Sequence, residues 1–335
     1  MPLPVLTPVE RRRRRRRRRL RQPLLLFALV VAAAALAAWH WWPGASDSTV
    51  PPPVAGVPSL VAAAKAPARR KVAQAAVEQL VTAPRQPAAQ IVPPLTSRSA
   101  IVIDGNTGEV VFWRNPHRRV PIASVAKVMT AVLALEHLGP NAVVVVAPIA
   151  TRVPPNKEGL KPGERVEAWK LLYAAMLYSG NDSALALGIA VAGSRARFIA
   201  MMNEKARRLG LRDTHFNSVS GVVDNDDYSS AWDMAALARY AMRNPRFRTI
   251  VATTRKRVAW APPTNWKLYV NHNHLLTTYP GADGIKTGWT SVARHTLAAS
   301  ARRGNVWLIG VTLGSADSFT DMTRILDLGF HLRKT

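Results

Sequence analysis

The position of the β-forming segments restricts the fold most. They stand at the two ends of residues 97–335, with helix-forming segments between them. Ala100–Asp104 and Glu109–Trp113 are rich in β-branched and aromatic residues, and the Gly-Asn-Thr-Gly between them is typical of a hairpin. Residues 296–314 form a second such pair, which turns at Gly304. This order predicts an α/β (α+β) fold with an antiparallel sheet, flanking helices and a helical subdomain.

Apolar periodicity predicts the helices of this middle region. One helix is expected to begin near Ser124. Further helices are expected over residues 166–178, 184–193, 195–210, 231–244 and 318–334. Ser230 and Asp233 have the spacing of a capping box before one of them. Residues 257–261 and 267–271 are expected to be strands.

The first 42 residues have the charge pattern of a membrane-inserted segment. Residues 11–19 are consecutive arginines, and residues 23–42 form an apolar run without a charge. About 20 helical residues span the hydrocarbon core of a bilayer, and the positive-inside rule places residues 1–22 in the cytoplasm. Two interpretations stay open. The length of the run and its three tryptophans favour an uncleaved anchor, and Ala35-Leu-Ala favours a cleaved signal peptide. An anchor predicts a single-pass protein of the cytoplasmic membrane.

The remaining chain divides into a linker and a large exported domain. Residues 43–96 are rich in proline and alanine and predict a linker. Residues 97–335 contain 31 Lys and Arg against 17 Asp and Glu. On the outer side of the membrane, acidic lipids and cell-wall polymers are the abundant polyanions, so no nucleic-acid partner is expected. The absence of cysteine excludes disulfides, thiolate nucleophiles and cysteine-ligated metals.

A serine and a lysine stand three residues apart at the start of an apolar helix. In "PIASVAKVMTA", Ser124 and Lys127 share one helix face, so the amine can reach the hydroxyl oxygen. The alternative is an ordinary helix start, in which the serine caps the helix and the lysine points to water. The pair alone does not decide between these interpretations.

Two further motifs follow in a fixed order. Ser179-Gly-Asn181 lies between two apolar helices, where a plain turn is the alternative. Lys286-Thr-Gly288 lies on a predicted strand, where a strand-edge lysine is the alternative. The ordered set S-x-x-K, S-x-N and K-T-G is typical of penicillin-binding proteins and serine β-lactamases. Each motif lies on the element that this chemistry requires.

From about residue 96 onward the chain resembles the D-alanyl-D-alanine carboxypeptidase family of low-molecular-weight penicillin-binding proteins. The resemblance rests on "AIVIDGNTGEVVFWRN", "PIASVAKVMTA", "SGNDSALALG", "FIAMMNEKARRLGL" and "DGIKTGWT". It implies a serine β-lactamase/penicillin-binding-protein-like fold and a 97–335 D,D-peptidase domain. One departure is the segment Val292–His295, where the family usually has an alanine-glycine pair. It adds a cation to the rim of the pocket.

The resemblance also implies catalytic roles. Ser124 is the expected nucleophile and Lys127 the base, which a desolvated pocket and the second cation Lys286 keep neutral. Ser179 is expected to relay a proton to the leaving amine. The backbone N–H groups of Ser124 and Trp289 are the expected oxyanion hole.

The substrate-binding residues implied in the same way are Asn181, Lys286, Thr287, Gly288 and Trp289. Asn181 is expected to hold Lys127 and the substrate amide, and Lys286 and Thr287 to bind the terminal carboxylate of a D-Ala-D-Ala stem. No cofactor or metal is implied. The partners are peptidoglycan stem peptides, β-lactams as covalent inhibitors, and the membrane.

Alternative functions stay open at this point. A D,D-endopeptidase that cuts cross-links would use the same motifs. A β-lactamase would need a deacylating glutamate, and Glu204 is predicted to lie on a solvated helix face. A non-catalytic, polyanion-binding wall protein is the alternative from another class. His272 and His274 have metal-like spacing without further ligands, and the acidic segment 224–227 is expected to be a solvated loop.

Overall fold

The computed structural model describes residues 80–82, 93–222 and 226–333. The strands are β1 (Ser99–Asp104), β2 (Val110–Arg114), β3 (Val120–Pro121), β4 (Val143–Val145), β5 (Arg165–Glu167), β6 (Tyr228–Ser229), β7 (Arg255–Ala259), β8 (Trp266–Val270), β9 (Ala282–Thr290), β10 (Arg294–Arg303) and β11 (Val306–Ser315). The helices are α1 (Lys127–His137), α2 (Ala168–Tyr173), α3 (Asn181–Ala192), α4 (Arg195–Arg208), α5 (Ala231–Met242), α6 (Pro245–Ala252), α7 (Leu275–Thr278) and α8 (Ser318–Leu332).

Five strands form one antiparallel sheet in the order β2-β1-β11-β10-β9. This confirms the predicted sheet, in which the hairpins from the two ends of the domain meet, with Ile101 opposite Val311. Successive residues of a strand point to opposite sides, and both faces of this sheet are covered by a core. Val102 packs in the core that contains α8, whereas Ile101 and Ile103 belong to the core of the helical region. The site-bearing strand β9 is an edge of this sheet.

The helical region is built around α1, which is buried on all sides from Lys127 to Leu135. Its start differs from the predicted one. A 3₁₀ turn, Ala123–Ala126, precedes the α-helix, and Ser124 makes no capping bond there. The helix predicted over residues 166–178 begins at Ala168, because Arg165–Glu167 pairs with β4, and it ends in a π-helical turn. The predicted capping contact is present, since the Ser230 hydroxyl accepts from the N–H of Asp233.

The linker predicted for residues 43–96 is too long at its C-terminal end. Leu80 and Val81 are buried in the core, and Thr82 pairs with Glu109 at the end of the β1–β2 hairpin. Thr96 donates through its N–H and its hydroxyl to the buried Asp321 carboxylate. These contacts join residues far apart in the sequence, so proline and alanine content alone did not indicate them.

The predicted basic tail, 1–22, and the predicted membrane span, 23–42, lie outside the described residues. Within the described ranges, no single helix is both long enough and apolar enough to cross a bilayer. Helices α3 and α4, which are bent by 85° at their junction, meet the criteria of length and composition only as a pair.

Candidate active site

The 3₁₀ turn before α1 holds Ser124 in a strained and closely packed position. Ala123 has a positive φ of 47°, which is costly for a residue with a side chain. Two glycines pack against this turn. A Cβ atom on Gly221 would lie 1.8 Å from the Ala123 carbonyl oxygen, and one on Gly288 would lie 2.8 Å from the Ser124 nitrogen. The surrounding chain therefore fixes the direction of the Ser124 hydroxyl.

Lys127 is fully buried and lies one turn beyond Ser124. Its Nζ donates to Ser124 Oγ at 2.7 Å, to Asn181 Oδ1 at 2.7 Å and to the Ser220 carbonyl at 3.2 Å. An ammonium has three donors and an uncharged amine has a free lone pair, so this position allows the group to exchange a proton with the hydroxyl. The structure excludes the alternative in which the lysine points to water.

Both lysines of the motifs have a lowered pKa. Burial is the main cause for Lys127, and the positive charge of Lys286 lowers its pKa further. Two buried carboxylates, Asp182 and Asp227, oppose this shift. Burial lowers the pKa of Lys286 to about 7. A buried lysine with a lowered pKa gives up its proton more easily than one in water, and can therefore act as a base.

The turn between α2 and α3 brings the second motif into the same cleft. Ser179 ends the π-helical turn with a φ of 69°, in the left-handed region that residues with a side chain rarely adopt. Gly180 then leads into Asn181, the first residue of α3. Ser179 and Ser124 line one cleft, and each is less than 10% exposed. The second motif therefore lies in the same cleft as Ser124.

The side-chain amide of Asn181 makes more hydrogen bonds within the protein than expected. Its Oδ1 accepts from Lys127, and its Nδ2 donates to the carbonyls of Pro154 and Pro155 at 3.1 and 2.9 Å. An amide has only two N–H donors, so neither is left for a substrate. Only the second lone pair of Oδ1 remains available. The structure thus places Asn181 as a support for Lys127 and for the 154–155 segment.

Strand β9 presents the third motif along the edge of the cleft. Thr287, Gly288 and Trp289 line the cleft, and Trp289 is 61% exposed. Lys286 does not line it. This residue is 1% exposed and donates to the Thr287 carbonyl at 2.9 Å. The ammonium group of Lys286, which was expected to bind the substrate carboxylate, is therefore buried and bonded to the backbone of its own strand in this structure.

The cleft between these elements has a volume of about 590 Å³. Its open end is lined by residues of the β9–β10 hairpin and of the start of α8, including His295, Ser318 and Phe319. Arg294, which was predicted to lie at the rim, is not among the lining residues, although its neighbour His295 is. No arginine of the described segments lines the cleft.

Two buried carboxylates that support the site were not identified from the sequence. Asp182 accepts from the backbone N–H groups of residues 158, 159 and 160. Asp227 accepts from Ser218, whose hydroxyl in turn accepts from the N–H of Gly221. Asp227 was expected to be solvated but is 3% exposed. Because Asp227 belongs to a run of acidic residues, the sequence indicated a solvated loop and not a buried carboxylate. Asp224 of that run lies outside the described residues.

Other sequence interpretations are also resolved. Glu204 lies on the solvated face of α4, as predicted, and pairs there with Arg207 and Arg208.

The two histidines with metal-like spacing point to different surroundings. His272 lines the cleft, and its pKa is lowered mainly by burial and further by the charge of Lys286. His274 instead stacks on Phe319, with 5.1 Å between the ring centroids. The two histidines therefore do not form a shared metal site. Among the described residues, no group of three or more His, Asp or Glu side chains is placed to hold a metal ion.

Comparison with known proteins identifies the family. The sequence profile of peptidase S11, described as D-alanyl-D-alanine carboxypeptidase, matches residues 84–317. This chain belongs to the D-alanyl-D-alanine carboxypeptidase family. The predicted resemblance is confirmed, and with it the assignment of the chain to a family of hydrolases.

Individual relatives in this carboxypeptidase family agree with the profile. The chain is 32% identical over 247 residues to the D-alanyl-D-alanine carboxypeptidase DacF of Bacillus subtilis, covering 71% of this chain and 63% of DacF. It is 36% identical over 257 residues to DacB2 of Mycobacterium tuberculosis, covering 74% of this chain and 87% of DacB2. The chain thus spans less than two thirds of DacF but most of DacB2.

The fold is also that of solved family members. The Streptomyces K15 DD-transpeptidase superposes with a TM-score of 0.69 at 30% identity, covering 72% of this chain and 99% of the transpeptidase. The predicted penicillin-binding-protein-like fold is therefore confirmed for the part of the chain that the match covers.

Proposed function

We propose that this protein is a serine D,D-carboxypeptidase, which removes the terminal D-Ala of peptidoglycan stem peptides through an acyl-enzyme on Ser124. The observation that carries the proposal is the 2.7 Å contact between Ser124 Oγ and the Nζ of a fully buried Lys127. A buried lysine beside a second buried lysine loses its proton more easily than one in water. Membership of the carboxypeptidase family supports the same reaction.

In the first step, the uncharged Lys127 takes the proton of the Ser124 hydroxyl as its oxygen attacks the carbonyl carbon of the D-Ala-D-Ala amide. The negative charge that develops on the carbonyl oxygen is stabilised by the N–H groups of Ser124 and Trp289. Gly288 lets these two segments approach each other closely, as its 2.8 Å hypothetical Cβ contact indicates. The C–N bond then breaks, and Ser179 relays the proton held by Lys127 to the departing amine of D-Ala, which leaves Lys127 uncharged again.

In the second step, water attacks the ester on Ser124. Lys127 accepts the proton of the water and returns it to the serine oxygen when the ester bond breaks. The products are the shortened stem peptide and the free enzyme. A β-lactam ring acylates the same oxygen, because its strained amide occupies the position of the D-Ala-D-Ala bond.

The substrate carboxylate is proposed to bind at the Thr287 end of the cleft. Thr287 lines the cleft, and the buried Lys286 precedes it on the same strand and donates to its carbonyl. His295 lines the open end of the cleft and provides a further donor. Thr287 therefore makes the direct contact, whereas Lys286 contributes the positive potential.

The proposed location is the outer side of the cytoplasmic membrane. The arginine block of residues 11–19 and the apolar run of residues 23–42 support a single-pass anchor with the basic end inside. The proline- and alanine-rich segment that follows supports a linker, which ends before residue 80. The domains proposed are therefore a basic tail, an anchor, a linker and the peptidase domain.

The decisive experiment is labelling of the full chain with fluorescent penicillin. Wild type is expected to form a covalent adduct, Ser124→Ala none, and Lys127→Ala an adduct only at a rate lowered by several orders of magnitude. Lys157→Ala, which removes an exposed lysine, is the matched control and should label like wild type. Equal labelling of Ser124→Ala would show that the proposed nucleophile is wrong.

A muropeptide digest distinguishes the reactions that share this acyl-enzyme. A carboxypeptidase converts pentapeptide stems into tetrapeptides and free D-Ala. An endopeptidase instead turns cross-linked dimers into monomers. A transpeptidase, as the similar Streptomyces K15 protein is named, joins stems when an acceptor amine is present. Release of D-Ala without loss of dimers is the expected result.

A further inference from the structure

The two-stranded ribbon β7–β8 exposes an apolar face. Its outward residues alternate along both strands and are Arg255, Arg257, Ala259, Trp266, Leu268 and Val270. The three large apolar side chains of this face are 50%, 51% and 46% exposed. Three neighbouring side chains of this size are unusual on a surface that meets only water.

The inner face of the ribbon is held firmly, so the outward set is not a result of loose packing. Val258 and Tyr269 are buried beneath it. Lys267 pairs with Glu158, and the indole N–H of Trp260 donates to Glu164 at 2.8 Å. A shift of register by one residue would exchange the two faces and break these contacts. The contacts therefore keep the apolar side chains on the outside.

The exposed face combines apolar and cationic groups in pairs. Arg257 lies opposite Leu268 and covers the Trp266 ring, with 4.4 Å from its guanidinium carbon to the ring centroid. Arg255 lies opposite Val270. None of the six outward residues is acidic. A tryptophan, aliphatic side chains and arginines without acids match the interface of an anionic bilayer, where rings sit at the headgroups and arginines bind phosphates.

We propose that this face docks on anionic phospholipid at the surface of the membrane. The inference rests on the proposed anchor, because three apolar and two basic side chains bind a bilayer only weakly by themselves. An anchor joined to the domain by a linker of residues 43–79 raises the effective concentration of the face at the bilayer to about the millimolar range. Weak contacts then suffice to hold the domain in one orientation.

The absence of cysteine allows a site-specific test on the full chain. Val270→Cys and, as the control, Val292→Cys each carry a polarity-sensitive fluorophore. These positions are equally exposed at 46%, and Val292 lies in the β9–β10 turn. Each protein is reconstituted into vesicles of phosphatidylcholine, with or without phosphatidylglycerol. Spin-labelled lipids in the same vesicles quench a probe that enters the bilayer interface.

The proposal predicts a blue shift and quenching at position 270, and not at position 292, in vesicles that contain phosphatidylglycerol. Arg257→Gln in the Val270→Cys protein should lower the ratio of docked to undocked molecules about fivefold, since each basic residue contributes about 1 kcal/mol at an anionic surface. Arg118→Gln, which removes an exposed arginine outside the β7–β8 ribbon, is the matched control and should leave this ratio unchanged.

Four results would overturn the proposal: no quenching at position 270, equal quenching at both positions, equal quenching without anionic lipid, or a probe signal that rises with protein density in detergent. The last result would identify a second copy of the chain as the occupant. Labelling with fluorescent penicillin in the same vesicles reports the peptidase site separately. Flotation with the vesicles reports the anchor, so failure of the docking face is distinguishable from failure of the proposed function.

Discussion

Gly288→Ala tests whether the close approach of β9 to the Ser124 turn supports the reaction. The new methyl carbon would lie 2.8 Å from the Ser124 nitrogen, 2.5 Å from Thr296 Oγ1 and 3.1 Å from Ala123 Cβ. Non-bonded heavy atoms prefer about 3.5 Å or more. The strand must therefore move away from the turn by roughly 0.5–1 Å. The two nearest of these three atoms cannot move easily, because Ser124 N is backbone and Thr296 Oγ1 donates to the Ile122 carbonyl at 3.0 Å.

This displacement separates the two N–H groups proposed as the oxyanion hole. Loss of one such donor costs about 10²–10³ in rate, or about 3–4 kcal/mol of transition-state stabilisation. The second-order rate of acylation by fluorescent penicillin should therefore fall by about 10²-fold, with Ser124 still able to form the adduct. The rate is measured by rapid mixing and quantified on gels.

Gly139→Ala is the matched control, because a Cβ there meets no atom within 4 Å. It should acylate like wild type. Thermal unfolding of both variants shows whether the fold is retained. If folded Gly288→Ala acylated at the wild-type rate, the argument that this contact sets the oxyanion geometry would be refuted.

Further predictions concern the buried charges. Lys286→Met should remove a component of stability that depends on pH: the pKa of Lys286 falls from 10.5 to about 7 on folding, so the unfolded state binds more protons and the free energy of unfolding rises between those pH values. Urea unfolding at pH 7 and 9 should show a smaller rise for the variant than for wild type. In the same variant, the fall of the acylation rate at acidic pH should begin at a higher pH, because the charge that helps to lower the pKa of Lys127 is gone. An unchanged pH profile in a stopped-flow series would contradict the influence of Lys286 on Lys127. Asp182→Ala should lower the free energy of unfolding by about 3 kcal/mol, since three backbone N–H groups, two of them part-buried and one buried, lose a charged acceptor. Urea titration with an unchanged midpoint would contradict that expectation.

The elements with strong local signals were predictable. Both hairpins of the sheet have turn residues between β-branched runs, and α4 and α8 have clear apolar stripes, so their approximate positions followed from periodicity. The start of α1 did not. A 3₁₀ turn with a strained Ala123 forms there, and Gly221 and Gly288, which have no Cβ, let distant parts of the chain pack closely against it.

Site residues divide in the same way. Ser124, Ser179 and residues 287–289 line one cleft, and the buried Lys127 is bonded to Ser124, as the ordered motifs predicted. The supporting carboxylate of Asp227 was not predicted, because a buried aspartate and a solvated one look identical in an acidic run. Asn181 was assigned to both Lys127 and the substrate amide. It accepts from Lys127 and lines the cleft, as expected, but its two N–H donors are used by backbone carbonyls.

By itself, the order of residues determined the family, the sheet-forming ends and which serine and lysine are proposed to react, since these depend on residue types at short, regular spacings. Only the tertiary structure decided that the Lys286 side chain is buried, that Asp182 and Asp227 lie close enough to oppose the lowered pKa of Lys127, and that the β7–β8 ribbon turns its apolar face outward. Burial and the distance between charges arise from contacts between segments far apart in the chain, and a local pattern does not contain them.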